Sequence, residues 1–568
     1  MKRRRDPMDK SRKHQVYNLI KHLYPLSGNT NQLPSLLAQL IDVIDHKVKN
    51  EYDARIGRLS SPEMSDKLTL KYSTLPDQPN DSTVVSSEIV DDLFDGVLRW
   101  RSPNLQHNVG SPVSTTASAL YALALDENIY SLDDGLAGNA LIAEKAVTNI
   151  LSDLAKLESP GAGFFVFGGT ATNLYASKVG LQKAFPETSI MGTPRNIKLF
   201  VTEEAHFTHR LSADWLGIGT NNVIEITANH DRSSNIVAAE QALRQAIEAG
   251  DIISGIMLNG GSTYSHVVDD IEDFVNLRDR LVQEYELTYR PHIHVDSVIG
   301  WSWLFFGTYD FVNNPLGITP KALGIIERQY ELIASLKRAD SWGVDFHKGI
   351  GGCPVDCSVI MFNNPQDVFA ISKSVDPKLA THQLATEFTR YAPSDFTLET
   401  SRSGGTGLAA LATLRALGRE GYQRNLANLV ESTCTLREAV EKESDMRVIN
   451  DYSLGFSTMI RIYPPEMRGT SAIERDLTSN EQPAEEITVI NAYIKEFYTW
   501  DFNNRIARND GPSPSFSSGF FNYHGTKVSA LKYYPTSPHY SPEHAEKSAQ
   551  ILIEQKRKFD TQIWQQKK

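Results

Sequence analysis

Lys348 lies in the run Asp345-Phe346-His347-Lys348-Gly349, a few residues ahead of the apolar stretch 358–362. A lysine in a loop is ordinarily solvated. Drawn into a dry pocket, its pKa falls and it becomes a nucleophile toward carbonyls. Asp296 ends the run His294-Val295-Asp296, where a carboxylate can ligate a metal, cap a helix or pair with a buried cation. His206, in Glu203-Glu204-Ala205-His206-Phe207, follows another apolar run and is open to a structural or a functional reading. Gly168-Gly169-Thr170-Ala171-Thr172-Asn173 separates an apolar run from a helical pattern. Glycines let a backbone close on an anion, and a helix start adds free N–H groups and the positive end of the dipole. The hydroxyls of Thr170 and Thr172 suit a phosphate, although an ordinary tight turn has a similar composition.

The elements that must position these residues alternate in type. Phe164-Phe165-Val166-Phe167 reads as a strand, and a helix follows from about Asn173, with Leu174, Leu181 and Phe185 on one face. Further strands are expected at 197–202, 223–226, 252–258, 293–295 and 358–362, with helices at 237–249 and 326–336. This order predicts an α/β domain with a mainly parallel sheet, whose ligands bind beyond the carboxyl ends of strands. After Gly405 a helix to Leu417 is expected, ended with the help of Gly418. A second helix carries Leu426, Leu429, Val430, Thr433 and Val440, a strand falls at 456–463 and a last helix at 542–556. The predicted division is an N-terminal helical and extended segment 1–110 that drapes over a partner, a large domain 111–404, and a smaller C-terminal α+β domain 405–568.

Composition narrows the class. The formal net charge of −12 argues against a nucleic-acid partner, since phosphate contacts favour basic domains. The basic start, Met1-Lys2-Arg3-Arg4-Arg5 with Lys10, Arg12 and Lys13, reads as a solvated terminus; with no apolar core behind it, it is not read as a signal peptide. No apolar run has the length of a membrane span. Cys353, Cys357 and Cys434 make neither a disulfide framework nor zinc spacing, so no metal is expected and a reducing, cytoplasmic compartment fits.

Taken together, the lysine, the carboxylate and the anion cradle match what pyridoxal phosphate requires: an amine for its aldehyde, a counter-charge for its ring nitrogen and a phosphate site. The chain resembles the group II pyridoxal-phosphate-dependent amino-acid decarboxylases, which include glutamate, aromatic-amino-acid, tyrosine and aspartate decarboxylases. The resemblance covers roughly 100–425. It rests on Gly169-Thr170-Ala171-Thr172-Asn173, the His206 segment, residues 259–270, His294-Val295-Asp296, Ala339-Asp340-Ser341 with His347-Lys348, and Ser401-Arg402-Ser403-Gly404.

The resemblance implies an aspartate-aminotransferase-like (type I) fold, pyridoxal 5'-phosphate as cofactor and a homodimer with its site at the subunit boundary. It implies that Lys348 carries the cofactor as a Schiff base, Asp296 pairs with the pyridinium nitrogen and His206 stacks on the ring. Thr170, Ala171, Thr172 and His347 belong to the phosphate side, and Thr263 lies near the cofactor. Asn108 and Arg402 fall where substrate contacts are placed, and Tyr391 is the candidate proton donor. The implied reaction is decarboxylation of an L-amino acid to the amine and CO2. One departure stands out. Ser297 and Val298 follow the aspartate where the family has two alanines, which puts a branched residue against the second ring face. It keeps two other reactions of this scaffold in view: carbon–carbon lysis and oxidative aldehyde synthesis. A non-catalytic regulatory homologue is disfavoured, because both Lys348 and Asp296 are present.

Overall fold

The computed structural model describes residues 18, 23, 32–372, 391–478, 484–521 and 526–567. The basic N-terminal run lies outside the described residues. Two compact units emerge, one of residues 1–105 with 500–513, the other of 106–499 with 514–568. In the first, the helices Gln32–Lys47, Pro62–Tyr72 and Ser82–Leu93 are described. Asp81 caps the third by accepting from the N–H groups of Thr83 and Val84, and Lys47 of the first helix pairs with Asp91 and Asp95.

The second unit is built on a seven-stranded sheet. Its strands are β1 (Ala162–Val166), β2 (Ile197–Thr202), β3 (Val223–Ile226), β4 (Ile252–Asn259), β5 (His292–Asp296), β6 (Ser341–Asp345) and β7 (Ser358–Phe362). Their spatial order is β1-β7-β6-β5-β4-β2-β3. The pairs β2/β3, β2/β4, β4/β5 and β5/β6 are parallel, while β7 runs antiparallel to both β1 and β6. A parallel return needs a crossover, normally a helix. The connection 346–357 contains none, so β7 folds straight back along β6, with Asp345 opposite Ser358. Lys348 rides on that connection.

The strand β6 was not foreseen. Its sequence, Ser-Trp-Gly-Val-Asp, shows no alternation because all five residues are buried in a sheet covered on both faces. The helix expected from about Asn173 starts earlier, at Gly169, directly after the turn from β1. The two helices expected after Gly405 are both present within Gly405–Glu441, separated at Gly418, whose backbone is non-helical (φ 60°, ψ −176°). The glycine ends the first helix as expected and sets a kink before the second.

A smaller antiparallel sheet follows: β8 (Met446–Val448), β9 (Thr458–Ile462), β10 (Ser513–Phe521) and β11 (Lys527–Tyr533), with β11 between β10 and β9 and β8 beyond β9. Only β9 and the last helix, Pro542–Phe559, were expected here. Among the described residues no helix is long and apolar enough to cross a membrane.

Candidate active site

Parallel strands deliver their carboxyl ends to one edge of the sheet, and a cavity of about 260 Å³ opens there. Asn259, Asp296 and Asp345, the last residues of β4, β5 and β6, all line it. So do Lys348 and His206. Residues far apart in the chain thus meet because each follows or ends a strand of the same sheet.

Asp296 is buried, and one oxygen is well supported. Oδ2 accepts from Asn173 Nδ2 at 2.9 Å and lies 3.6 Å from His209 Nε2. Asn173 is itself held, its Oδ1 3.1 Å from His294 Nε2, and His294 Nδ1 is 2.9 Å from Ser341 Oγ. Burial alone would raise the Asp296 pKa. The contact with His209, the charge of Lys348 and the Asn173 amide outweigh it and hold the carboxyl well below the usual carboxylate range. Oδ1, by contrast, is buried without a hydrogen-bond partner among the described residues. A buried carboxylate oxygen left unsatisfied is costly, so a donor from a bound molecule fits it.

Lys348 Nζ lies 2.8 Å from Asp345 Oδ2. Ser358 Oγ donates to the other Asp345 oxygen at 2.6 Å. Burial would lower the lysine pKa, but the charges of Asp345 and Asp296 raise it above its ordinary value. Segment 109–111 braces the lysine loop: Gly349 N–H donates to Val109 O, Ser111 N–H to His347 O and Gly352 N–H to Ser111 Oγ. His206 Nδ1 sits 2.9 Å from Thr208 Oγ1, and burial, with Lys348 and His209 nearby, pushes its pKa down. A neutral, anchored imidazole on the cavity wall suits stacking.

The cradle is formed by Gly168 (φ 122°), Gly169 and Thr170 at the N-terminus of the helix Gly169–Ala184. Gly168 occupies backbone space that favours glycine. At Gly169 an added Cβ would lie 2.6 Å from Asp345 Oδ2, so a side chain there would collide with the partner of Lys348. An amine, a carboxylate with a vacant acceptor and an anion-binding helix start therefore face one cavity, which is the donor set that pyridoxal phosphate requires.

The pyridoxal-dependent decarboxylase conserved domain matches residues 62–458. The chain belongs to this family. It is 24% identical to L-2,4-diaminobutyrate decarboxylase of Rhizobium meliloti, over 62% of this chain and 63% of that enzyme, slightly less than two thirds of its length. It is 26% identical to L-aspartate/L-glutamate decarboxylase of Pyrococcus horikoshii, over 64% of this chain and 79% of that one. The crystal structure of Catharanthus roseus tryptophan decarboxylase superposes with a TM-score of 0.70 at 16% identity, covering 94% of this chain and 99% of that one. The type I pyridoxal-phosphate fold is thereby established.

Within this decarboxylase fold, the residues singled out from the sequence separate into two groups. Thr170, His206, Thr263, Asp296, Val298, His347 and Lys348 line the cavity. Ala171, Thr172, Asn108, Arg402 and Tyr391 do not. Ala171 packs in an apolar cluster with Phe164 and Val166, and the buried Thr172 turns its hydroxyl back to Gly169 O at 2.7 Å. Asn108 is exposed, and it is the segment after it that braces the lysine loop. Arg402 is committed elsewhere: its Nη2 pairs with Glu144 at 3.0 Å and donates to Phe165 O, while Nη1 donates to Ser131 O. A guanidinium so neutralised has little charge to offer a substrate carboxylate. Tyr391 is partly buried, and burial, with the Glu144 carboxylate, raises its pKa, so the phenol keeps its proton.

His209, Asn173 and Asp345 were missed as site residues. Asn173 and Asp345 stood in quoted motifs, and His209 sits one helical turn beyond His206, which was the available signal.

Val298 is accommodated rather than forced. Added Cβ atoms at Gly169 and Gly343 would lie 3.1 and 3.2 Å from Val298 Cγ1, so two glycines leave room for the extra methyl groups. An added Cβ at Gly343 would also lie 2.6 Å from Thr172 Oγ1. Gly343→Ala is therefore expected to destabilise the fold by about 1–3 kcal/mol through overpacking. Urea denaturation of the apo-protein measures this, and an unchanged midpoint would contradict the packing argument.

Proposed function

We propose that this cavity binds pyridoxal phosphate on Lys348 and that the chain removes the α-carboxylate of an L-amino acid as CO2, leaving the amine. The observation that carries this reading is the pair Lys348 and Asp296 on one cavity wall, the latter with a buried oxygen that has no hydrogen-bond partner among the described residues.

Bound there, the cofactor supplies a conjugated ring that accepts the electron pair released at Cα when the carboxylate leaves. Asp296 would keep a proton on the ring nitrogen, because its own carboxyl is held well below the usual carboxylate range. The N–H groups at Gly169 and Thr170 would hold the phosphate, and His206 would cover one ring face. Val298 bounds the opposite side of the space. Walls that orient the Cα–carboxylate bond perpendicular to the ring and exclude water favour loss of CO2 over loss of the α-proton. When not bound to the cofactor, the Lys348 ammonium would be a group on the cavity wall able to return a proton to Cα, which balances the reaction: amino acid and one proton in, amine and CO2 out.

The first test is headspace CO2 release by the cofactor-loaded protein across a panel of L-amino acids. Release from one or a few of them supports the reading. A loaded protein that yields aldehyde and no CO2-linked amine would replace it.

Cofactor uptake should depend on pH in a defined direction. Lys348 attacks the aldehyde only as the neutral amine, and Asp345 holds its pKa up. Uptake should therefore accelerate with rising pH throughout the neutral and alkaline range. Asp345→Asn removes the larger of the two charges that raise the lysine pKa, leaving Asp296 alone against burial, so that pKa falls. An opposite charge at this range shifts a pKa by roughly 1–3 units, so uptake at pH 7 should quicken about tenfold or more. Stopped-flow absorbance on the apo-protein reads it, and coincident pH profiles would exclude the assignment.

Two wider assignments complete the reading. A homodimer is supported by exposed apolar residues on and beside the cavity wall, Phe167, Phe207 and Val355, which are 41%, 68% and 71% exposed. Sedimentation equilibrium tests it. A cytoplasmic setting is supported by three buried cysteines that form no disulfide.

A further inference from the structure

The segment 260–268 follows β4, and its Gly261, Ser262 and Thr263 line the cavity. It closes on itself: the N–H groups of Gly261 and Ser262 both donate to Val267 O, and that of His266 donates to Ser262 O. Its outer side is gripped by the region of the small sheet. Ser457 Oγ donates to Tyr264 O at 2.5 Å and Asn450 Nδ2 to the same oxygen at 3.2 Å. Tyr452 OH and Ser265 Oγ lie 3.2 Å apart. His266 takes a left-handed backbone (φ 53°), with its ring packed on Gly455, where an added Cβ would lie 2.1 Å from His266 Cγ. A non-glycine residue held in this conformation signals a segment fixed by its surroundings.

Lys532, on β11, makes the contact closest to the cavity. Its Nζ donates to Thr263 O at 2.9 Å. The side chain is buried, and Nζ lies 4.6 Å from the Tyr264 ring centroid and 4.8 Å from that of Tyr534. It takes part in no ion pair among the described residues. Burial pushes its pKa well below the ordinary value. A lysine buried without a carboxylate is unfavourable unless its amine has a task that an apolar side chain lacks. The task visible here is to satisfy and hold a carbonyl on the cavity wall, across the gap between the two sheets.

We propose that Lys532 is a positioning residue for the cofactor: by holding the Thr263 carbonyl from the small sheet, it sets the place of Thr263 on the cavity wall. The inference rests on the reading of the cavity as a pyridoxal-phosphate site. Lys532 itself touches neither cofactor nor substrate; it acts through Thr263.

The test is a double-mutant cycle read by cofactor binding. Apo-proteins of the wild type, Lys532→Met, Lys532→Gln, Thr263→Ala and the combined variants are titrated with pyridoxal phosphate. Tryptophan fluorescence gives the dissociation constant, and visible circular dichroism reports the tilt of the bound ring. Lys532→Met should weaken binding tenfold or more and change the visible dichroism, with far-ultraviolet dichroism unchanged. Lys532→Gln, which keeps an N–H donor, should recover part of both. In the Thr263→Ala background either change at Lys532 should have at most a threefold effect, because the side chain it positions is gone. Wild-type affinity and dichroism in Lys532→Met would overturn the proposal, as would an equal loss in both backgrounds. Should Lys532→Met fail to fold, the Lys532→Gln arm of the cycle decides on the same criteria. A wild-type protein that binds no pyridoxal phosphate overturns the underlying site assignment, a separate result.

Discussion

Lys348→Ala should release no measurable CO2, a loss of more than about 10³-fold, because among the described residues no other amine on the cavity wall can take the cofactor's aldehyde. The substitution should also weaken the fold. Asp345 is buried and pairs with Lys348 at 2.8 Å. Removing the cation leaves the carboxylate without its counter-charge, which costs about 3–5 kcal/mol when a buried pair is broken. The two effects separate on a second substitution. Lys348→Ala with Asp345→Asn removes the stranded charge, so most of the lost stability should return while turnover stays absent. Urea denaturation of the apo-proteins reads the first quantity and CO2 release the second. Borohydride treatment of the loaded proteins adds a direct check: the cofactor should become fixed to the wild type and not to either variant. Cofactor fixed to Lys348→Ala would place the reactive amine elsewhere.

Asp296→Asn should lower turnover by about 10²–10³-fold, the scale seen when one preorganised charge-stabilising group is lost. An amide keeps the size of the side chain and an oxygen for the Asn173 contact, but it carries no charge to keep a ring nitrogen protonated. The native fold should be kept, but at neutral pH the variant should lack the stability that the ionised carboxyl contributes. The pH dependence of stability should change, with a definite sign. A carboxyl whose native pKa is depressed stabilises the fold above its unfolded value, near 4, and that contribution is lost as pH falls toward the native value. The wild type should therefore lose more stability between pH 5 and pH 2 than Asp296→Asn does. Near-normal turnover in the variant would refute the role given to the carboxylate. Parallel acid-denaturation curves would refute the depressed pKa.

Much of the fold was legible because strands and helices in an α/β sheet carry strong apolar patterns. The strands β2, β3 and β7 fall where their runs of Ile, Val, Leu and Phe lie, and the helix Ile236–Glu248 falls within a residue of the expected span. The strand β6 escaped notice because it lies in a fully covered sheet and includes Gly343, which makes room for Thr172 and Val298. The strands β10 and β11 are rich in serine, with Ser513, Ser515, Ser517, Ser518 and Ser529, so their patterns are weak.

The sequence by itself determined the chemistry: an amine, a carboxylate and an anion cradle, each at a strand end of one sheet. In a parallel sheet with regular crossovers the carboxyl ends share an edge, so the meeting of the cradle, His206 and Asp296 follows from local pattern, whereas that of Lys348 rests on β6, which the pattern did not show. The tertiary structure decided what each group does with its neighbours. It gave Asp345 to Lys348, and Asn173 and His209 to Asp296. It gave Arg402 to Glu144, and it set Lys532 against Thr263. These pairings join segments far apart in the chain, and their strength comes from burial. A side chain's charge can be read from its letter, but whether that charge is solvated, neutralised or left facing a cavity depends on which distant residues exclude water from it.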